Sequence, residues 1–479
     1  MAYRYGNRVQ IDLLPPCIEE YVGKDDPVRV YDTLINSLSL EKLGIKIDNR
    51  QVGNPEYDPI SMLKLLVYGY SYGIKSSRKL ERECYHNISF IWLMGGLKPD
   101  HKTIAEFRHH NKKALKQVLK QCVRICINLN LIDGNVLFVD GTKIRANAGR
   151  DRNHKREYYE KLLVEIDSRI FNLLAECETA DQNEEGQGSH VKISEELKKE
   201  GDLKAKIEKV IKSFETSERK TVNLTDPDCA LMRSIQGSHA SYNVQGVVDD
   251  KRGFIVHVEA VAESDINQFA SQITQANEQL GKKCEIACAD AGYSDSQELE
   301  KIEGQEIKVV VPSQRQALHK EEGPFNKSRF QYDKENDCYT CPEGHKLLYQ
   351  TTIKKNGKRY YRMVDKNKCL QCQHFGACTH SRTGRKIMRL PNEDAKQRFE
   401  KAYEQNLDLY ARRKTRSEHP FGHIKRNLKT DSFHLRGRDG VQAETSILAT
   451  CFNVSRMITI FGSGTLLTKL ATLGQILNN

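Results

Sequence analysis

No run of the 479 residues is long and apolar enough to cross a membrane. The nearest approach, Thr445–Leu477, is interrupted by Asn453, Ser455, Arg456 and Lys469, so it is expected to be a buried amphipathic helix, and no membrane partner is expected. No secretory leader is expected either, because Met1–Gln10 is polar and aromatic where an apolar stretch is required. Acid is in short supply relative to base. Lys and Arg number 75 against 64 Asp and Glu, a formal charge of +11 that suits a polyanionic partner but equally fits an ordinary basic protein. Without export, the 14 cysteines are not expected to form a disulfide framework. Most of those before Cys338 stand singly in apolar contexts, whereas those from Cys338 to Cys378 are paired.

The chain is long enough for two or three domains. Residues 1–130 are expected to be helical. Asp26-Pro27 opens an amphipathic segment over Val28–Leu40, and Asp58-Pro59 opens an apolar helix over Ile60–Tyr72. Ser76 or Ser77 then caps a short basic helix with Arg78, Lys79 and Arg82. Thr103-Ile104-Ala105-Glu106 has the form of a capping box for a helix carrying Arg108, His109, His110, Lys112, Lys113, Lys116 and Lys120. Basic helices joined by short turns can form a helix-turn-helix-like DNA reader, or simply a solvated face.

Two later stretches share a pattern. Asn135–Val139 reads as a buried strand that delivers Asp140 and breaks at Gly141, and Glu285–Ala289 leads to Asp290 followed by Gly292. Carboxylates at the ends of apolar strands need a hydrogen bond, a charge partner or a cation. Two side by side can hold a divalent ion. Between them lies a charged insert (151–225), expected as a helical hairpin from the spacing of Tyr159, Leu162, Leu163, Ile166, Ile170, Leu173 and Leu174, with a loop at Asp181–His190. A strand hairpin over Ser241–Asp249 and Phe254–Ala262 follows, then a helix capped by Asp265-Ile266-Asn267-Gln268 and running to about Leu280, a short helix near Ser294–Ile302 and a strand at Ile307–Val311. The order predicts an α+β or α/β architecture, a mixed sheet flanked by helices.

The cysteine cluster is Cys338-x-x-Cys341-Pro-Glu-Gly-His345, Cys369-x-x-Cys372 and Cys378. Paired knuckles of this kind hold tetrahedral Zn²⁺. The candidate set is Cys341, Cys369, Cys372 and Cys378, or Cys338 in place of Cys378. Two strands across Asn356-Gly357 would make residues 325–390 a zinc-ribbon-like insert.

From Phe399 a basic helix is expected to run through Tyr410, Arg412, Arg413, Lys414 and Arg416 to Glu418, ahead of HPFGHIKR. With that segment the blocks FVDGTKI, ADAGYSD and RKTRSEHPFGHIKR resemble the three catalytic blocks of bacterial insertion-sequence transposases of the DDE, ribonuclease-H-like superfamily. YDPISMLKLLVYGYSYGIKSSRKLER and PDHKTIAEFR resemble the helical N-terminal region of one branch, which also carries a Cys-rich insert between its second and third acids.

The resemblance implies a helical DNA-binding domain over 1–130 and a ribonuclease-H-like catalytic domain over 131–312 and 395–479. It makes Asp140, Asp290 and Glu418 the ligands of Mg²⁺ or Mn²⁺, with Lys425, two helical turns beyond Glu418, meeting phosphate nearby. Two ions about 3.5–4 Å apart would serve an in-line displacement at phosphorus without a protein nucleophile. The family spacing before Glu418 falls on Ala411 and Lys414, so Tyr410 and Arg413 match it imperfectly. Arg78, Lys79, Arg82, Arg108, Arg413, Lys414, Lys425 and Arg426 are the candidate DNA contacts. The activity implied is binding of terminal inverted repeats, cleavage, and joining to target DNA by a dimer on double-stranded DNA, in the bacterial cytoplasm at the nucleoid. A nuclease on the same fold, or a domesticated DNA-binding copy, are the alternatives.

Overall fold

The computed structural model describes residues 16–45, 56–182, 187–216, 219–234, 237–318, 323–354 and 357–478. The opening stretch Met1–Gln10 and Asn356 of the expected ribbon turn lie outside them. The chain forms two compact units, one of residues 1–284 and 412–479 and the other of residues 285–411. These bounds cut across the expected catalytic domain. Among the described residues no helix is long and apolar enough to cross a membrane.

The first unit opens with helices α1 (Pro27–Asn36), α2 (Leu40–Leu43), α3 (Pro59–Ser71), α4 (Ser77–His86), α5 (Ile88–Leu93), α6 (His101–His110) and α7 (Lys112–Asn128). The Asp-Pro helix starts hold, Asp26 accepting the Val28 N–H and Asp58 the Ile60 and Ser61 N–H groups just beyond Pro27 and Pro59. The expected capping box does not form. Asp100 caps α6 by accepting from the Thr103 N–H at 2.7 Å, and Thr103 lies inside the helix. The basic helix also breaks at Asn111, which separates α6 from α7.

Next come β1 (Val136–Arg145), β2 (Asn153–His154), α8 (Arg156–Gln182), α9 (Gln187–Thr216), β3 (Val222–Asn223), β4 (Ala230–Ser234), β5 (Gly237–Asp249), β6 (Ile255–Val261) and α10 (Phe269–Leu280). The insert is the expected helical hairpin, with Tyr159, Ile166, Ile207 and Val210 buried between its helices. Helix α8 reaches Gln182 and α9 starts at Gln187, so both ends of the expected loop Asp181–His190 are helical, and residues 183–186 lie outside the described residues. Strands β1, β4 and β6 each pair antiparallel with β5, which lies between β4 and β1. The stretch Asp265–Gln268 leads into α10 with Gln268 at its N-cap, and Asp265 Oδ1 accepts from the side chains of Asn243 and Gln245.

The second unit contains β7 (Ile286–Ala289), α11 (Ser296–Glu303), β8 (Lys308–Val310), α12 (Gln314–Ala317), β9 (Gln331–Asp333), β10 (Cys338–Thr340), β11 (Lys346–Ile353), β12 (Lys358–Met363), α13 (Lys366–Leu370), β13 (Lys386–Arg389) and α14 (Glu393–Glu404). Strands β7 and β8 are parallel. Strands β9 to β13 form a five-stranded antiparallel sheet in the order β13-β12-β11-β10-β9, larger than the two-stranded ribbon expected.

Helix α15 (Leu407–Arg426) begins in the second unit and from Arg412 belongs to the first. It is separate from α14 rather than one helix from Phe399. The terminal apolar stretch divides at Gly462 into α16 (Gly437–Phe461) and α17 (Ser463–Asn478). Helix α16 is the buried centre of the first unit and packs on α3, α7 and β6. The polar residues that interrupt it have a structural use. Asn453 exchanges two hydrogen bonds of 2.9 Å with the backbone of Ile255. Gln442 accepts from the Ala260 N–H at 2.8 Å and donates to the Val258 carbonyl at 2.7 Å. The two amides satisfy backbone groups along β6 that a bare edge would expose.

Asp249 ends β5 with no solvent exposure, its Oδ1 accepting the Gly134 N–H at 2.7 Å and its Oδ2 the Lys251 N–H at 3.1 Å. Burial pushes its carboxyl up to about 6, above an ordinary value of 3.8. The folded state therefore binds more proton than the unfolded chain between those values, and stability falls as pH rises through that window. Asp249→Asn should accordingly cost more at pH 4 than at pH 6.5, by roughly 2–3 kcal/mol in urea unfolding. A cost that does not change with pH would contradict this.

Candidate active site and cysteine centre

In the first unit the site is built on β1 and α15. Strand β1 does not break after Asp140. It continues through Gly141 to Arg145, so Asp140 stands within a ladder, opposite Gly246 of β5. Glycine at 246 is what lets α15 lie close to that ladder. A Cβ there would come within 2.8 Å of the Phe421 ring. The helix turns Arg413, Ser417, Phe421 and Ile424 inward, at three- and four-residue spacing, and leaves Lys414, Glu418 and Arg426 exposed.

Asp140 is held on both oxygens. Its Oδ1 accepts the Gly141 N–H at 2.9 Å, and its Oδ2 accepts the Ser417 hydroxyl at 3.0 Å. Arg413, expected as a DNA contact, is buried, and its Nη1 lies 3.7 Å from the same Oδ2. Arg412 and Arg416 pair with Asp250 at 2.8 and 3.5 Å, tying α15 to the turn after β5. Lys425 is half-buried. Burial lowers its ammonium pKa, and the charges of Asp431 and Asp140 oppose that shift.

The segment after α15 is stitched across the end of β1. Arg145 donates its N–H to the Asp431 carbonyl at 3.3 Å and accepts from the Phe433 N–H at 2.9 Å. Lys75, buried at 4% exposure, donates to the Lys429 carbonyl and to Thr430 Oγ1, both at 3.0 Å. Arg108 also departs from expectation. It is 5% exposed, and its guanidinium donates to the Lys75 carbonyl at 2.7 Å and Tyr70 Oη at 3.4 Å. Arg78, Lys79 and Arg82 are on the exposed face of α4.

In the second unit Asp290 follows β7, half-buried, and its Oδ1 accepts the Gly292 N–H at 2.7 Å, which caps a single 3₁₀ turn over Ala291–Tyr293. Tyr410 packs edge-on against Tyr403, with ring centroids 4.9 Å apart.

Cys341, Cys369, Cys372 and Cys378 line a cavity of about 30 Å³, together with His345 and His374. The space suits one ion or one water. The Cys378 thiol pKa is raised by burial and by the neighbouring Cys369, Cys341 and Cys372, against the lowering effect of Arg385. Backbone N–H groups point at two sulfurs, His345 at Cys341 Sγ (3.3 Å) and Arg385 at Cys369 Sγ (3.4 Å). Gly344, at φ +80°, makes the tight turn expected of a knuckle. Cys338 does not line this cavity; it is buried in β10, next to Tyr339 whose ring joins the sheet's core.

Among the described residues no group of three or more His, Cys, Asp or Glu side chains stands at the mutual distances of an assembled metal centre. The donors nevertheless fit by chemistry. Hard carboxylate oxygens suit Mg²⁺ or Mn²⁺, and Asp140 already faces a guanidinium cation, whereas four thiols on an ion-sized cavity suit Zn²⁺.

Serine 417, Gly246, Phe421 and Lys75 escaped the sequence reading. Ser417 and Phe421 lie inside the block RKTRSEHPFGHIKR and Lys75 inside YDPISMLKLLVYGYSYGIKSSRKLER, but nothing local marks any of the four as a neighbour of Asp140 or of the segment after α15.

A family model described as a transposase domain matches residues 16–110, and one described as a transposase DDE domain matches residues 340–458. No curated protein and no solved structure matches the chain.

Proposed function

Because the chain belongs to the DDE transposases of insertion sequences, we propose that it binds the terminal inverted repeats of its element, cuts at the ends and joins the freed 3′ ends to target DNA. The observation that carries this reading is the hold on Asp140, a carboxylate fixed on both oxygens beside the helix that presents Glu418. Divalent metal use follows in general from the family. Asp140, Asp290 and Glu418 would be the ligands, and the bound ions supply Lewis-acid activation of the attacking hydroxyl and charge neutralisation at the leaving oxygen.

The chain's own groups do the rest. Glycine 141, Ser417 and Arg413 hold Asp140 in orientation, and Lys425 offers a cation to phosphate close by. Exposed Arg78, Lys79, Arg82, Lys414 and Arg426 give the DNA backbone its counter-charges. Action as a dimer on double-stranded DNA, in the bacterial cytoplasm at the nucleoid, belongs to the same proposal.

The test is incubation of a duplex carrying the element's end with the protein and Mg²⁺. Cleavage at the repeat boundary supports the reading, and binding without cleavage under Mg²⁺ or Mn²⁺ overturns it.

We assign Zn²⁺ to Cys341, Cys369, Cys372 and Cys378. Metal analysis of the purified chain should find about one zinc per chain, kept by Cys338→Ser and lost by Cys372→Ser. A zinc-free, folded chain would contradict the assignment.

A further inference from the structure

We propose that Ser417 is a positioning residue for the catalytic carboxylate, aiming Asp140 at the divalent ion. The inference rests on the metal-dependent reading above. It adds a residue that neither the three acids nor the basic signature includes.

Three observations converge on it. Ser417 has no solvent exposure, and its hydroxyl lies 3.0 Å from Asp140 Oδ2. The same hydroxyl lies 3.0 Å from the Arg413 carbonyl and receives Arg413 Nη1 at 3.4 Å. A serine has one proton to give, and a carboxylate is a stronger acceptor than a peptide carbonyl, so the proton goes to Asp140. The result is a relay of Arg413 N–H to Ser417 oxygen and Ser417 O–H to Asp140.

Oδ1 accepts the Gly141 N–H and Oδ2 accepts the Ser417 hydroxyl, so both carboxylate oxygens are held by the protein. Rotation of the carboxylate would break both bonds. The position also couples the acids mechanically, because Ser417 directly precedes Glu418. Any shift of α15 that moves Glu418 also moves the group that orients Asp140. The close seat of Phe421 on Gly246, opposite Asp140 in the ladder, sets that distance.

Mn²⁺ binding to the full-length protein, followed by electron paramagnetic resonance, reads this directly without turnover. Wild type, Ser417→Ala and Asp140→Asn are compared, with thermal midpoints alongside. Ser417→Ala is expected to keep its midpoint and weaken Mn²⁺ binding about 10- to 100-fold, the usual effect of losing a bond that orients a ligand. Asp140→Asn should abolish binding at this site. If Ser417→Ala unfolds, Ser417→Cys, which fills the same space with a weaker donor, is read instead and should also lose affinity. Mn²⁺ binding that depends on Asp140 yet is unchanged in the Ser417 variants overturns the positioning role alone. Wild-type binding no greater than that of Asp140→Asn overturns the metal reading, and the role of Ser417 with it.

Discussion

Alanine at Asp140, Asp290 or Glu418 is expected to reduce cleavage and joining by about 10³-fold or more while DNA binding persists. The loss follows from what each carboxylate would hold. Removing a ligand forfeits several kcal/mol of charge stabilisation in the transition state, and each 1.36 kcal/mol is about tenfold in rate. Binding survives because duplex DNA is met by Lys and Arg, not by acids, and neutralising a buried or half-buried carboxylate removes repulsion toward phosphate. The three variants also test different parts of the account. Asp140 is locked by named bonds, Asp290 caps a 3₁₀ turn, and Glu418 is exposed on α15. Stability costs should therefore appear for Asp140 and Asp290, through lost hydrogen bonds of about 1 kcal/mol each, and be small for Glu418. An active Glu418→Ala would show that the third acid lies elsewhere. Gel-shift and oligonucleotide cleavage assays on the same preparations separate these outcomes.

The largest effect on stability is expected at Lys75. Its ammonium is buried against the Lys429 carbonyl and Thr430, and it shares its surroundings with the fully buried Glu444, whose pKa burial raises and whose Oε2 accepts the His434 and Leu435 N–H groups. Removing one partner of a buried charge cluster leaves the other uncompensated, at a cost of about 3–5 kcal/mol. Lys75→Met should lower the first denaturant transition by that amount. Adding Glu444→Gln should recover part of it, because the two side chains couple. The consequence is also functional. Lys75 comes from the loop between α3 and α4, and the segment it grips follows the helix of Glu418 and Lys425 and pairs with the end of β1. Loosening that grip should reduce cleavage more than DNA binding. A Lys75→Met protein within 1 kcal/mol of wild type would show that the cluster contributes little.

The elements most legible in the sequence were those with local signatures. Asp-Pro caps opened α1 and α3, alternating β-branched residues marked β5 and β6, and the helical spacing of Tyr159 to Ile170 marked the inserted hairpin. The misread positions share a cause, namely long-range contacts that outweigh a local preference. Gly141 looks like a strand terminator, but pairing with Gln245 carries β1 past it. Thr103 and Glu106 look like a capping box, yet Asp100 lies three residues earlier and takes the same N–H. Arg108 and Arg413 looked like a basic surface, since sequence spacing does not reveal which side of a helix meets Lys75 or Asp140. Asp140 and Asp290 were marked by their place at the ends of apolar strands and Glu418 by motif resemblance, whereas the groups around Asp140 come from residues 1, 106 and 277 positions away and leave no local trace. CxxC spacing marked the thiols proposed for Zn²⁺, and only the fold shows that Cys378, not Cys338, lines the pocket with Cys341, Cys369 and Cys372.

The central claim is strand transfer, and it is tested most directly with a pre-cleaved element end. A duplex ending in a free 3′-hydroxyl is mixed with the protein, Mg²⁺ and a supercoiled plasmid, beside the same duplex ending in a dideoxynucleotide. The account predicts covalent joining of the end to the plasmid with the hydroxyl and none with the dideoxy end. Plasmid nicking that ignores the supplied end, or binding of the end with no joined product, would contradict it.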